Sequence, residues 1–390
     1  VGGLRIAIIL GDINPDDLGG AEIHLVEVMK RLLTYGHELH VLVGADTRIK
    51  RLFPPDNIFF YPIRYPRLPN LKGVAYTFWA TGQLLQYARY QHFDILHAKQ
   101  EYPHGVVGAT VSKRLNIPLY TTVQNPLAYK EELVFSGPKV LSGLRQLIKP
   151  LVKYALRNSA VVAAVSNYSL ANCQKLGAKK CVLIPNGVDT QKFYPKAKES
   201  PSENPHIVTT STLIPRNGLD TLIKGFKLLL ENVPNASLTI AGEGPLEKEL
   251  KSLAQELGIE SKVKFIATLP HEKVPELLWS ADLFVRPSIY EGFGMSFIEA
   301  MASGVPVVAC PVGGVVDFIT HRQTGMLVPP NDPEALKGAM LSLLHNRKLY
   351  RRIRTKALEL VRDRYSWDSI AAKVNEVYHT LVRPRENGEG

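Results

Sequence analysis

Cysteine, tryptophan and methionine are scarce, with 3, 3 and 5 in a chain of 390 residues. Cys173, Cys181 and Cys310 form neither a C-x-x-C step nor a zinc-ligand spacing, and an odd count builds no closed disulfide framework. A disulfide- or zinc-stapled scaffold is therefore excluded, and a reducing cytosol is the expected compartment. Long hydrophobic runs are also missing. No stretch approaches the roughly 20 apolar residues of a membrane span, and LRIAIILG near the start is too short for a signal segment and reads as a first strand. There is no Asp-x-Asp step to hold a divalent metal. Neither a nucleic-acid-binding motif nor a clustered aromatic platform is present, so nucleic acid is not an expected partner.

The remaining composition is that of a globular protein, 45% hydrophobic and 21% charged. A chain this long exceeds what one core supports, so two domains are expected. The net charge of +11 is unevenly shared: residues 1–190 hold 22 Lys plus Arg against 13 Asp plus Glu, whereas 191–390 hold 25 against 23. The first half is thus suited to an anionic partner such as a membrane surface, a phospholipid acceptor or an acidic glycan, or else simply carries a basic, solvated face.

Apolar strand-like runs alternate with helical patterns throughout, as in parallel α/β sheets. The pattern predicts strands near 4–10, 38–43, 95–98, 119–123 and 161–165, then near 207–211, 238–241, 263–266, 283–285, 307–309 and 326–328. Between the two sets, CVLIPNGVDTQKFYPKAKESPSENPHIV breaks the alternation with Pro, Asn, Gly and Ser. It marks a linker near 189–205. The predicted domains are 1–190 with a returning helix at 367–382, and 191–366. A basic amphipathic pattern at 139–157 carries Leu144, Leu147, Ile148, Leu151 and Val152 on one helical face. That face either packs on the first sheet or lies on an anionic membrane.

The densest chemistry lies at 288–304, SIYEGFGMSFIEAMASG. Glu291 and Glu299 flank a glycine-containing turn and a helix start, between the strands predicted at 283–285 and 307–309. Unpaired N–H groups at a helix start attract phosphate, and a carboxylate accepts hydrogen bonds from a diol. The bland alternative makes Glu291 a cap and Glu299 a solvated helix residue.

The full pattern E-G-F-G-x-x-x-x-E-A-M-A-x-G-x-P-V-V-A resembles the signature of the retaining, nucleotide-sugar-dependent glycosyltransferases of family 4. The resemblance extends to GGAE near Gly19 and Gly20 and to IPNGVD at 184–189. It implies an α/β fold of the GT-B architecture, with two Rossmann-like domains facing across a cleft and a final helix crossing back to the first. It also implies roles. Glu291 would hold donor-sugar hydroxyls and Glu299 the ribose diol. Gly292, Phe293, Gly294, Met295 and Ser296 would line the sugar and phosphates, with Gly242 and Glu243 of AGEGP and Ile266 near the nucleotide. Gly19 and Gly20 would form the acceptor or phosphate loop, with His104 beside it. No cofactor or metal is expected, only a nucleoside diphosphate sugar as substrate.

Two departures stand out. The family's G-R-L-x-x-x-K-G, whose Arg and Lys neutralise the donor diphosphate, reads here as STLIPRNG at 211–218, with Thr212 and Asn217 at the cationic places. Arg216 and Arg286 are the candidate replacements. The family's histidine after the fourth strand is Gln124 here, which hydrogen-bonds but does not titrate. The expected function is transfer of a sugar to a lipid-linked, glycan or small-molecule acceptor, in the cytoplasm or on the inner face of the membrane. The alternatives are a catalytically silent nucleotide-sugar binder and a nucleotide-sugar epimerase on the same plan.

Overall fold

A computed structural model of the protein describes residues 3–16, 18–44, 48–66, 71–124, 139–196, 200–267 and 269–382, with the backbone alone over 139–147. The chain forms two compact units, one of Val1–Asn186 with Trp367–Gly390 and the other of Gly187–Ser366. The break therefore falls at Asn186, slightly before the boundary expected from composition. The returning helix Trp367–Val382 is part of the first unit.

The first unit holds a seven-stranded sheet of Arg5–Gly11 (β1), Glu38–Val43 (β2), Ile58–Pro62 (β3), Ile95–Ala98 (β4), Leu119–Val123 (β5), Val161–Ala164 (β6) and Cys181–Leu183 (β7). The spatial order is β3-β2-β1-β4-β5-β6-β7, with parallel pairing throughout. Central strands β4, β5 and β6 are buried along their whole length. That is why they read as continuous apolar runs. The edge strands β3 and β7 are half-covered and were not among the strands expected from the pattern, although IFFYP of β3 is itself apolar. The basic amphipathic pattern is the helix Lys139–Asn158. Val152, Ala155 and Leu156 bury against Val123 and Val162, so this part of the helix packs on the sheet, whereas Leu151 is 37% exposed. Leu144 and Leu147 lie outside the described side chains.

The returning helix is tied to the first sheet through polar contacts. The Tyr378 hydroxyl meets His97 Nδ1 at 2.6 Å, Asn375 Oδ1 meets His37 Nε2 at 2.7 Å, and Arg31 Nε donates to Asp368 at 2.5 Å.

The second unit holds a six-stranded sheet of His206–Thr210 (β8), Ser237–Ala241 (β9), Val263–Ile266 (β10), Leu283–Arg286 (β11), Val307–Ala309 (β12) and Met326–Leu327 (β13). Its order is β10-β9-β8-β11-β12-β13, again parallel. The core includes Ile207, Leu222, Phe226, Leu238, Leu283 and Val285. Among the described residues no helix is long and apolar enough to cross a membrane.

Candidate functional site

In the second sheet the strand order reverses between β8 and β11. Loops leaving the carboxyl ends of two such strands diverge and leave a crevice, the usual ligand position in an open α/β sheet. Here the two loops, 211–218 and 287–294, are laced together. Ile289 N donates to Arg216 O at 2.8 Å, and at Gly218 (φ +64°) a Cβ would sit 2.1 Å from the Pro287 carbonyl oxygen. Only glycine permits that approach with that backbone. The next loop joins them, since Leu213 N donates to Glu243 O at 2.8 Å and Leu246 N to Leu213 O at 3.1 Å. Gly242 N donates to Ile266 O at 2.8 Å. The Ile266 carbonyl thus ties this loop to its neighbour.

The two acids of the 288–304 stretch meet different partners. Gly294, left-handed at φ +93°, precedes the helix Met295–Ala302, which places Glu299 one turn inside the helix and Glu291 in the loop before it. Glu291 Oε2 accepts from Arg286 Nη2 at 2.5 Å. Arg286 also donates from Nη1 to Ser296 Oγ at 2.7 Å, and its guanidinium lies 4.3 Å from the Phe297 ring centroid. Burial lowers the Arg286 pKa from its usual value; the Glu291 charge opposes this and the nearby Arg216 charge reinforces it. Glu299, itself 7% exposed, accepts from His271 Nε2 at 2.8 Å, and His271 Nδ1 meets Lys192 Nζ at 2.9 Å. Each acid has one oxygen assigned to a hydrogen bond of this kind. Glu299 is therefore not the solvated helix residue of the bland alternative, and Glu291 does not cap the helix, whose N-cap is Gly294 with no side-chain cap bond.

The other expected positions divide. Glu291, Gly292, Met295 and Ser296 are half-buried around the turn. The Phe293 side chain is 3% exposed and packs on Phe318 and Tyr365 at centroid distances of 5.3 and 6.1 Å, so it holds the loop from beneath. Asn217, at the place of a phosphate-binding lysine, is buried and donates from Nδ2 to Thr212 O at 2.7 Å, which shapes the turn. Thr212 is exposed and carries no charge. Among the described residues the Arg216 side chain makes no hydrogen bond or ion pair. Glu243 is exposed.

In the first unit the order reverses between β1 and β4. Gly19 and Gly20 are exposed at the start of the helix Gly20–Thr34, next to Glu22, which pairs with Lys99. His104 lies against the start of this loop, where a Cβ on Gly11 would be 2.3 Å from its Nε2. It is 6% exposed, packs edge-on against Tyr76 at 5.2 Å, and burial pushes its pKa down to about 3. It is a neutral packing group. Gln124 forms a reciprocal amide pair with Asn186: Gln124 Nε2 donates to Asn186 Oδ1 at 3.0 Å, and Asn186 Nδ2 to Gln124 Oε1 at 2.9 Å. This pairing takes up half of the Gln124 amide's hydrogen-bonding capacity, so Gln124 is held as a bracing residue. His24 lies beside the pair, and burial lowers its pKa to about 4, partly offset by a hydrogen bond with Asn186.

Comparison with known proteins follows the same division. Residues 190–360 match the family described as Glycosyl transferases group 1, and residues 18–192 match Glycosyltransferase Family 4. A sucrose-phosphate synthase from Thermosynechococcus elongatus shares the fold with a TM-score of 0.80 at 23% identity, over 97% of this chain and 99% of that one. Two parallel α/β units with this topology define the GT-B class. The chain belongs to the group 1, family 4 glycosyltransferases. Its relatives include the N-acetyl-alpha-D-glucosaminyl L-malate synthase of Bacillus anthracis, 25% identical over 95% of this chain and 97% of the relative. Another is the GDP-mannose-dependent alpha-(1-6)-phosphatidylinositol monomannoside mannosyltransferase of Mycobacterium tuberculosis, 30% identical over 58% of this chain and 64% of the relative.

Proposed function

We propose that the protein is a retaining, metal-independent glycosyltransferase that takes a sugar from a nucleoside diphosphate sugar bound in its second unit and passes it to a lipid-linked, glycan or small-molecule acceptor. The observation that carries this reading is the pair Glu291 and Glu299. Each has one oxygen assigned to a cation or ring N–H of the protein and the other available, at the strand-order reversal of a parallel sheet. A carboxylate held in that way accepts from a diol with little reorganisation, the condition under which a polar site stabilises a transition state. In this reading Glu299 takes the ribose diol and Glu291 the donor-sugar hydroxyls.

The reaction follows from the groups present. The acceptor oxygen attacks the anomeric carbon as the bond to the diphosphate breaks, both on one face of the ring, and the departing phosphate oxygen takes the acceptor proton. No nucleophile is required of the protein. Charge accumulates on the diphosphate, where Arg216 supplies a cation with no partner among the described residues and the amides at the start of Met295–Ala302 supply donors. Metal independence is supported by that cation, which would supply charge to the leaving diphosphate. The GDP-mannose dependence of the mycobacterial relative supports a nucleotide-sugar donor. The basic first unit suits a phosphate-bearing acceptor on an anionic membrane.

A catalytically silent, donor-binding role is the competing reading, favoured by the braced Gln124 and the uncharged Thr212 and Asn217. The test offers a panel of UDP and GDP sugars with a membrane extract and a chelator. Release of nucleoside diphosphate only with acceptor, and a product anomer matching the donor, are expected. Glu291→Ala should lower kcat on the order of 100-fold, whereas Glu299→Ala should chiefly weaken nucleotide affinity. Donor binding without turnover across the panel would establish the silent role instead, and an inverted anomer would refute retention.

A further inference from the structure

The geometry points to Arg286 as the buried half of a relocated diphosphate clamp: the cation expected at position 217 has moved to the end of the neighbouring strand, where it grips Glu291 and the leaving diphosphate together. This inference rests on the donor-site reading above and adds to it which groups hold the phosphates.

Position 217 itself cannot supply the charge. Asn217 is buried and spends its Nδ2 on the Thr212 carbonyl. Strand β11 lies beside β8, and the loops that follow them touch at Gly218 with Pro287 and at Arg216 with Ile289. A cation carried at the end of either strand therefore serves the same crevice. Arg286 ends β11 and is 7% exposed. An arginine so deeply buried is costly unless its charge is paired and its N–H groups find acceptors. Glu291 neutralises it at one nitrogen, Ser296 takes another, and the Phe297 ring lies against the guanidinium.

One donor remains. Arg286 Nε–H is buried with no partner among the described residues, and an orphaned buried N–H costs free energy until something accepts from it. Ser296, its other side-chain partner, belongs to the first turn of the helix whose unpaired N–H groups favour anions. Arg216 lies close enough for its charge to act on Arg286, and with Glu291 as the one acid paired to Arg286 among the described residues the two cations keep an excess positive charge that an anion between them would offset. A diphosphate carries two anionic phosphoryl groups and meets that need. A guanidinium is also suited to it, having several donors in a fixed plane. Arg286 would then link the two ends of the reacting bond, orienting Glu291 toward the sugar while holding the phosphate that leaves.

The test is a transplant of the charge. Affinities of UDP, GDP, uridine and guanosine are measured by calorimetry in chelator for the unaltered protein, Arg286→Leu, Arg286→Lys, Asn217→Lys and Arg286→Leu/Asn217→Lys. Circular dichroism and melting curves check that each is folded. For the preferred base, Arg286→Leu should weaken the diphosphate by roughly 10- to 100-fold while leaving the nucleoside unchanged. The double variant should recover at least a third of that loss on a logarithmic scale, and Arg286→Lys should fall between. An unchanged ratio of diphosphate to nucleoside affinity in Arg286→Leu, with turnover alone reduced, would show that Arg286 only positions Glu291 and would overturn the inference. So would failure of the transplant. If the unaltered protein binds neither diphosphate, the donor-site reading falls and this inference with it.

Discussion

At the scale of single residues, the acids themselves were readable from the chain, but what holds them was not. Glu291 and Glu299 stand out because their spacing and glycine context are local. His271, which bonds Glu299, and Lys192 behind it are distant in sequence, and HEK after a strand carries no signal by itself. The amide partner of Gln124, Asn186, lay within the quoted IPNGVD stretch yet gave no hint of that pairing. His271 provides a direct test. Its bond fixes which Glu299 oxygen is free, so His271→Ala should weaken nucleoside diphosphate binding by roughly 3- to 10-fold, the value of one such hydrogen bond, while kcat at saturation is retained. Calorimetry beside steady-state kinetics checks both halves. An unchanged affinity would mean that Glu299 orients itself.

At the scale of elements, the central strands of both sheets were legible and the edges only unevenly so. Strands β2, β4, β5, β10 and β12 run where the alternation placed them; burial on both faces favours apolar residues in the central ones, whereas β10 is a half-covered edge. Strands β3 and β7 sit at the sheet edge, where only part of each strand is covered. The connection after β12 carries a further element with no sequence signal for its role. At Gly313 (φ +53°) a Cβ would lie 1.6 Å from the Glu291 carbonyl oxygen, and Gly314 N donates to that oxygen at 3.2 Å. The loop bearing Glu291 is thus seated on bare backbone. Gly313→Ala should cost well above the ~1–2 kcal/mol of the left-handed backbone alone and should raise the donor KM by displacing Glu291. Gly258→Ala is the control, with φ +66° but nothing within 4 Å of its Cβ, and should show only the backbone cost. Equal denaturation midpoints and equal KM for the two variants would show that the contact does not seat the loop.

At the scale of the whole molecule, the two-unit plan and the return of the last helix were both anticipated from length, the linker and the family pattern. The interior chemistry of the first unit was not. His24, His97 and His104 are all buried there, and burial pushes their pKa values down to about 4, 3 and 3. An unfolded histidine binds its proton near pH 6.5, so the stability these neutral rings support is fully present above that pH. It is lost as pH falls toward 3–4, at roughly 1.4 kcal/mol per unit for each ring. Urea midpoints should therefore drop between pH 7 and pH 5, with hydrogen exchange accelerating in 1–186 before 187–366. A midpoint constant over that range would show that the rings take up protons in the folded state.

The first unit also uses both ends of the chain. Strand β4 offers His97 to Tyr378, and the helix Gly20–Thr34 offers Arg31 to Asp368. On the ribosome these partners are separated by the synthesis of the entire second unit, 187–366. The usual order, in which the N-terminal domain completes first, is therefore reversed here. The second unit has all its strands in hand while the first still lacks a helix. His97 can meet Thr122 and Tyr120 early but lacks its Tyr378 partner until the returning helix has been made.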